Sequence, residues 1–270
     1  MTKKVGVIGW PIEHSLSPAM HNAAFKALGM DWEYDKYAIP PDIVKLSLRE
    51  FRDANFVGLN VTVPHKQAVM PFVKPDEIAR AVGAVNTIDL RTNKATNTDV
   101  AGFMGDLAAH GIKPKAGMKV VVLGAGGAAR AAVYGLAEAG AQIAIINRTP
   151  EHAQTLIDSL RVPAQVADVS AVADAELIVN CTSAGMSPKI DESPLPDDAP
   201  LQKGVIVYDM VYRPAKTALM RHAETVGGGT VGGLGMLARQ GAAAFRLWTG
   251  IEPPIDVMLA AAQAELDKRG

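Results

Sequence analysis

A chain of 270 residues, 49% of them hydrophobic, is long enough to bury large cores and more readily makes two domains than one. Lys and Arg number 27 against 28 Asp and Glu, a formal charge of -1, so no global field draws the protein to nucleic acid or to an anionic membrane surface. The one cysteine, Cys181, excludes an internal disulfide and a cysteine-cluster metal site and suits a reducing compartment.

At the N-terminus Lys3 and Lys4 precede a short apolar run, but Pro11, Glu13 and His14 interrupt it before a signal-peptide core could form. No window further on reaches the about eighteen apolar residues of a membrane span, which makes the cytoplasm the expected location. "KVGVIG" reads as a strand, and Pro18 to Gly29 as a helix with a Met20/Ala24/Phe25/Leu28 face and a glycine stop. "WEYDKYAI" follows as strand, "PDIVKLSLREF" as helix, "FVGLNVTV" as strand, "PHKQAVM" as a short helix and "GAVNTIDL" as strand. This alternation predicts an α/β layer with mostly parallel pairing. "DVAGFMGDLAAHG" reads as a helix ending at His110 or Gly111, and "IKPKAGMK" as a hinge between units.

A second α/β pattern begins at Lys119: strand "KVVVLG", helix Gly126 to Gly140, strand "AQIAIIN", helix "PEHAQTLIDSL", then the near-continuous apolar strands "AELIVNCT" and "GVIVYDM". "SAGMSPKIDESPLPDDAP" and "VGGGTVGG" read as loops, the latter a hinge or a passive glycine turn. The helical patterns "LGMLARQGAAAFRLWTG" and "IDVMLAAAQAELDKRG" close the chain, and periodicity does not say which domain they join.

Gly124, Gly126 and Ala129 form G-x-G-x-x-A between a buried strand and an Ala-rich helix. The first glycine permits the tight turn, the second lets backbone approach a pyrophosphate, and the alanine keeps the helix close to the sheet. A diphosphate then sits on the amide-rich helix start, against Gly124, Gly126, Gly127 and Ala128. The following strand ends in Asn147, Arg148 and Thr149, where an acid would grip both ribose hydroxyls and repel a 2'-phosphate. A guanidinium there holds a phosphate through parallel charge-assisted bonds, so the expected cofactor is NADP. Thr149 either donates to that phosphate or caps the next helix.

Polar residues gather at strand ends of the first pattern: Ser15 and Ser17 in "HSLSP", Asn60, Thr62 and Lys66 in "NVTVPHK", Asn86 in "GAVNT", Asp99 in "TNTD". Loops past the carboxyl ends of parallel strands bind ligands, and this set suits a small, oxygen-rich molecule. Each residue also has a local reading: Ser17 before Pro18 and Asp99 as helix caps, Asn86 and Asn97 as turn formers, Lys66 as a solvated cation. His14 and His65 lack further ligands at suitable spacing, so no metal is expected, and His65 reads as a surface or supporting residue.

Taken together, "HSLSPAMHN", "GLNVTVPHK", "GAVNT", "NTD", "GAGGAARA", "NRT", "YRPAKTALM" and "GMLARQGAAAFRLWTG" resemble the shikimate dehydrogenase family from end to end. The resemblance implies reversible NADP-linked interconversion of shikimate and 3-dehydroshikimate, in the route to chorismate and aromatic amino acids. It implies an α/β substrate-binding domain, residues 1–105 completed by closing helices 238–270, and a Rossmann-like NADP-binding domain, 106–237, with a cleft between them. By the same resemblance Ser15 and Ser17 hold the carboxylate with Tyr212. Thr62, Lys66, Asn86, Asp99 and Gln240 hold the ring hydroxyls, Lys66 and Asp99 are the catalytic pair, and Met236 lies against the nicotinamide. The family often carries a basic residue soon after the arginine of "NRT"; Glu151 and His152 stand there, leaving Arg148 most of the discrimination. Cys181 reads as a strand-end packing residue.

Rival readings are a quinate or dual quinate/shikimate dehydrogenase, a folate-linked dehydrogenase of similar plan, and a non-catalytic dinucleotide-sensing binding protein. Ser15 and Arg148 argue against the first, the serine pair and "NTD" against the second, and Lys66 with Asp99 against the third. A monomer and a homodimer both suit this length. The expected partner is a small-molecule substrate, with neither nucleic acid nor membrane.

Overall fold

The computed structural model describes residues 2–269; Met1 and Gly270, which end the expected domain spans, lie outside them. Two units divide these residues, one running to Gly102 and resuming at Leu237, the other spanning Phe103–Met236.

In chain order the first stretch gives β1 (Lys3–Gly9), α1 (Ser17–Ala27), β2 (Trp32–Ala38), α2 (Val44–Asp53), β3 (Gly58–Val61) and α3 (His65–Ala68). It continues through β4 (Lys74–Pro75), α4 (Glu77–Val82), β5 (Thr87–Asp89), β6 (Lys94–Thr96) and α5 (Asp99–Ala109). The sheet order is β2-β1-β3-β5-β6-β4. Val5 to Gly9 of β1 are all buried, the mark of a central strand covered on both faces, whereas β2 exposes Glu33, Asp35 and Ala38 at the sheet edge. The chain leaves β1 for β2 on one side and returns to β3 on the other, both parallel to β1, so a topological switch point lies between β1 and β3.

The expectation of mostly parallel pairing fails past β3: β5 runs antiparallel to β3, and β6 antiparallel to β5. Lys94–Thr96 turns back tightly through Asn93, whose φ of 60° suits asparagine, and so short a return leaves no crossover helix to make the pair parallel. Strands β4 and β6 and helix α4 are too short for periodicity to reveal. Asp76 caps α4 by accepting from the Ala79 amide at 2.8 Å, and Gly83, with φ 68°, ends it.

The second unit holds β7 (Lys119–Leu123), α6 (Gly127–Glu138), β8 (Gln142–Ile146), α7 (Pro150–Leu160), β9 (Ala164–Val166) and β10 (Leu177–Asn180). After them come β11 (Ile206–Asp209), α8 (Ala218–Thr225) and β12 (Gly229–Gly232). All these strands pair parallel in the order β12-β11-β10-β7-β8-β9, which puts the switch point between β7 and β10. Helix α9 (Leu234–Thr249) begins in this unit and continues into the first, where α10 (Ile255–Lys268) packs along α1. Trp248 of α9 donates its indole N–H to the Ile88 carbonyl at 3.0 Å and crosses β3 at Gly58, where a Cβ would stand 2.1 Å from the indole nitrogen.

Two segments differ from the sequence reading. Ile112 and Met118 of "IKPKAGMK" are buried in the core of the second unit, so this segment is part of that unit and the division falls earlier, inside α5. "VGGGTVGG" contains β12, hydrogen-bonded to β11. Its glycines serve close approach: a Cβ on Gly228 would lie 2.5 Å from the Val205 carbonyl oxygen, and one on Gly233 2.2 Å from that of Met210. Strand β9 and helix α8 were likewise not foreseen.

His21 of α1 is fully buried, stacked on Tyr34 at 4.3 Å beside Phe245 and Trp248, with both ring nitrogens unpartnered. Burial pushes its pKa from 6.5 down to about 3, so the folded state holds it neutral while the unfolded chain protonates it. Its contribution is therefore complete above the unfolded pKa and is lost as pH falls towards the folded one, at about 1.4 kcal/mol per unit. Urea midpoints measured across this range should fall more steeply for the parent than for His21→Phe; equal slopes would remove His21 as the cause.

Candidate active site

Switch-point geometry brings the residues of the first unit together. Ser15 and Ser17 follow β1, and Thr62 and Lys66 follow its parallel neighbour β3. Ser17 does not cap α1: Leu16 is the N-cap and no side chain serves it. Instead the Ser17 amide donates to Ser15 Oγ at 3.3 Å, and the Ser17 hydroxyl faces that of Tyr34. The two serines are thus neighbours, Ser17 buried and Ser15 half-buried. The Thr62 amide donates to the Ile8 carbonyl and the Thr62 carbonyl accepts the His65 amide, both at 2.9 Å, which places Thr62 in the turn entering α3. His65, expected at the surface or in support, is wholly buried and bonds the Ile39 carbonyl at 2.7 Å through Nε2.

Lys66 Nζ donates to Asp99 Oδ2 at 2.5 Å, their side chains 16% and 7% exposed. A pair this sheltered pays a desolvation penalty that Coulomb attraction offsets only with the help of further hydrogen bonds. One is supplied by Asn86, whose Nδ2 donates to Asp99 Oδ1 at 2.8 Å. The orientation of the Asn86 amide is fixed because Oδ1 accepts the Thr98 backbone N–H at 2.7 Å, leaving Nδ2 to face Asp99. Gln240, from α9, joins at 3.4 Å through Oε1 and anchors its own amide on the Leu237 carbonyl. Asn97 accepts the Asp99 amide at 3.0 Å and donates to the Ala84 carbonyl, setting the entry to α5 as a turn-forming asparagine should.

In the second unit, Gly124 ends β7 with φ 104°, and a Cβ there would press on Thr182 at 3.0 Å, so glycine is required on both counts. Gly126 is the N-cap of α6; a Cβ there would meet nothing, leaving open room beside the helix start. Gly127 and Ala128 form its first turn, which holds no acidic residue, while Ala129 is buried against the sheet. The Gly124 amide donates to the Ile146 carbonyl at 2.8 Å, which sets the loop beside the segment 147–149. There Asn147 Nδ2 holds the Thr149 carbonyl at 2.8 Å. Thr149 is the N-cap of α7, yet its side chain makes no capping bond, so the hydroxyl is not committed to the helix. Arg148 is exposed, and among the described residues no ion pair engages it. An amide-rich helix start, an open face, a cation and no acid fit a dinucleotide carrying a 2'-phosphate.

Tyr212 follows β11, and Met236 is buried in the first turn of α9; both belong to the second unit, the serines to the first. Asn180 and Asp209, the last residues of β10 and β11, shape the loops beyond them. Asn180 Oδ1 accepts the Thr182 amide at 2.9 Å and its hydroxyl at 2.7 Å, while Asp209 accepts from Asn180, the Val211 amide and Thr217. Burial raises the Asp209 pKa against the pull of those donors. Sequence reading passed over both residues; a polar residue closing an otherwise apolar strand was the available signal. Burial likewise pushes the Cys181 thiol up, away from a thiolate nucleophile. Among the described residues no group of three or more His, Cys, Asp and Glu side chains is placed to hold a metal ion, and no helix is long and apolar enough to cross a membrane.

Family models match along the chain: the shikimate dehydrogenase substrate binding domain over residues 7–88, shikimate / quinate 5-dehydrogenase over 106–195, and the shikimate 5'-dehydrogenase C-terminal domain over 233–263. The NADP(+) shikimate dehydrogenase of Methanocella arvoryzae is 44% identical, across 94% of this chain and 95% of its own length. That of Symbiobacterium thermophilum is 45% identical across 97% and 94%. The Thermus thermophilus shikimate 5-dehydrogenase solved with NADP(H) and shikimate superposes with a TM-score of 0.91 at 38% identity, covering 97% of this chain and 99% of that one. Identity of this order sustained over nearly the whole length, in sequence and in fold, shows that the chain belongs to the shikimate dehydrogenase family.

Proposed function

We propose that the protein oxidises shikimate to 3-dehydroshikimate, reversibly and with NADP, in the biosynthesis of chorismate and aromatic amino acids. The observation that carries this reading is the Lys66–Asp99 pair, sheltered and braced by Asn86, on a chain whose full-length relatives are NADP-dependent shikimate dehydrogenases. A nicotinamide, when bound, accepts or returns the hydride. The protein must hold the ring, manage one proton and exclude competing water.

Lys66 carries the proton. Its amine, when neutral, takes the proton from the reacting hydroxyl; in reduction the ammonium returns one to the developing alkoxide. One of its N–H groups is directed at Asp99 Oδ2, which aims the others at the substrate oxygen. Asp99, whose oxygens accept from Lys66 and Asn86, keeps lone pairs for a neighbouring ring hydroxyl. Thr62, Asn86 and Gln240 hold the ring hydroxyls, and Ser15 and Ser17, with Tyr212, take the carboxylate. Gly124, Gly126, Gly127 and Ala128 receive the diphosphate; Asn147, Arg148 and Thr149 receive the adenosine end, and Met236 borders the nicotinamide. Residues 1–105 with 238–270 form the substrate-binding domain and 106–237 the NADP-binding domain. The proposal includes a cytoplasmic enzyme, as a monomer or a homodimer, which sedimentation distinguishes.

Initial rates with shikimate or quinate against NADP or NAD test the whole reading. The expected matrix is dominated by shikimate with NADP; a dominant quinate column, or no turnover with any pair, would overturn it.

A further inference from the structure

Asn60 has no part in the site as described above, yet its side chain is buried at the point where β3 meets the start of β5. Its amide is bonded at both ends. Nδ2 donates to the Asn86 carbonyl at 3.2 Å and to Thr87 Oγ1 at 3.0 Å, and Oδ1 accepts the Tyr34 hydroxyl at 2.8 Å. Tyr34 is itself fixed: Asn22 of α1 holds both its backbone groups, at 2.8 and 2.9 Å, and its ring lies flat on His21. Both partners of Nδ2 and the partner of Oδ1 lie within the protein, so these bonds serve the fold around the site. What it grips is the peptide of Asn86.

That peptide is held from several directions. The Val61 amide donates to the Asn86 carbonyl at 2.8 Å, the same oxygen that Asn60 reaches, and the preceding Val85 amide donates to the Lys66 carbonyl at 2.8 Å. The Asn86 side chain in turn donates to Asp99. Lys66 and Asp99 lie far apart in sequence on different elements, and the short segment Val85–Asn86 is the piece that touches both, by its backbone on one side and its side chain on the other. A shift of Asn86 therefore changes the Lys66–Asp99 spacing directly. Productive geometry is lost with displacements of the order of 1 Å.

We propose that Asn60 is a positioning residue for the catalytic pair, acting through Asn86, with the Tyr34 hydroxyl setting the orientation of its amide. The proposal rests on the assignment of Lys66 and Asp99 as that pair. Asn60→Leu keeps the branched heavy-atom shape and removes all its side-chain hydrogen bonds; Tyr34→Phe removes the bond that orients the amide, together with the contact of that hydroxyl with Ser17. For a folded Asn60→Leu, kcat should fall about 10-fold or more, the pH profile of kcat should shift, and KM for NADP should stay within about twofold. Tyr34→Phe should show a smaller loss of kcat in the same direction, about threefold, and decides the matter if Asn60→Leu fails to fold. A role in stability alone would lower the urea midpoint and leave kcat per folded molecule and its pH profile at parental values; that result overturns the proposal. Lys66→Met is run alongside: if it keeps parental turnover the assignment of the pair fails, whereas an inactive Lys66→Met beside a parental Asn60→Leu sinks the positioning role alone.

Discussion

Lys66→Met should lower kcat by about 100-fold or more while changing KM for shikimate by less than about threefold. Methionine keeps the length and apolar stem of lysine, so the half-buried side chain still fills its place, but the proton carrier is gone. Asp99 would then keep its bond from Asn86 and lose its cation, so the variant should also be checked for fold by its urea midpoint. Removing one partner of a sheltered ion pair costs about 3–5 kcal/mol in stability. Steady-state rates across a range of shikimate concentrations separate the effects. A turnover within threefold of the parent would rule out Lys66 as the group that moves the proton.

Arg148→Ala should weaken NADP binding about tenfold or more and leave NAD binding nearly unchanged, since each charge-assisted bond to a phosphate contributes about 1.5–3 kcal/mol. The effect is expected to be large because the first turn of α7, just past Arg148 and Thr149, carries Glu151 and His152 in place of a Lys or Arg. Calorimetric titration of parent and variant with both dinucleotides measures it. Equal losses for NADP and NAD would show that Arg148 acts on the shared part of the cofactor or on the fold.

Much of this was legible in the sequence because local chemistry and global fold agree. "KVVVLGAGGAARA" announces a buried strand, a turn needing positive φ and a tightly packed helix, and each appears with Gly124 at φ 104°. The alternation that predicted the first unit worked as far as β3. It failed where the sheet reverses, because pairing direction depends on the length of the return and not on the apolar pattern. "VGGGTVGG" misled for a related reason: strand propensity is written in side chains, and a four-residue strand with glycine at both ends, flanked by Gly228 and Gly233 where a Cβ would clash, has few to show. His65 read as a surface or supporting residue, and its bond to the Ile39 carbonyl accounts for its place inside. Asn60 was visible as one of a polar group, but its task lies in partners from β2 and β5 that no spacing along the chain could connect.

The first unit is assembled from both ends of the chain, and this governs the order in which a nascent polypeptide can mature. Phe103–Met236 emerges from the ribosome as an uninterrupted stretch with all its strands present. The earlier-made Met20, Phe25 and Tyr34 must wait for Phe245, Trp248 and Met258 to cover them. Until α9 and α10 have been made, α1 exposes the face that α10 will occupy, and β3 lacks the indole that crosses Gly58. During synthesis, then, the half made first is the half completed last, and its bare apolar surface is where chaperone capture or misassembly would concentrate.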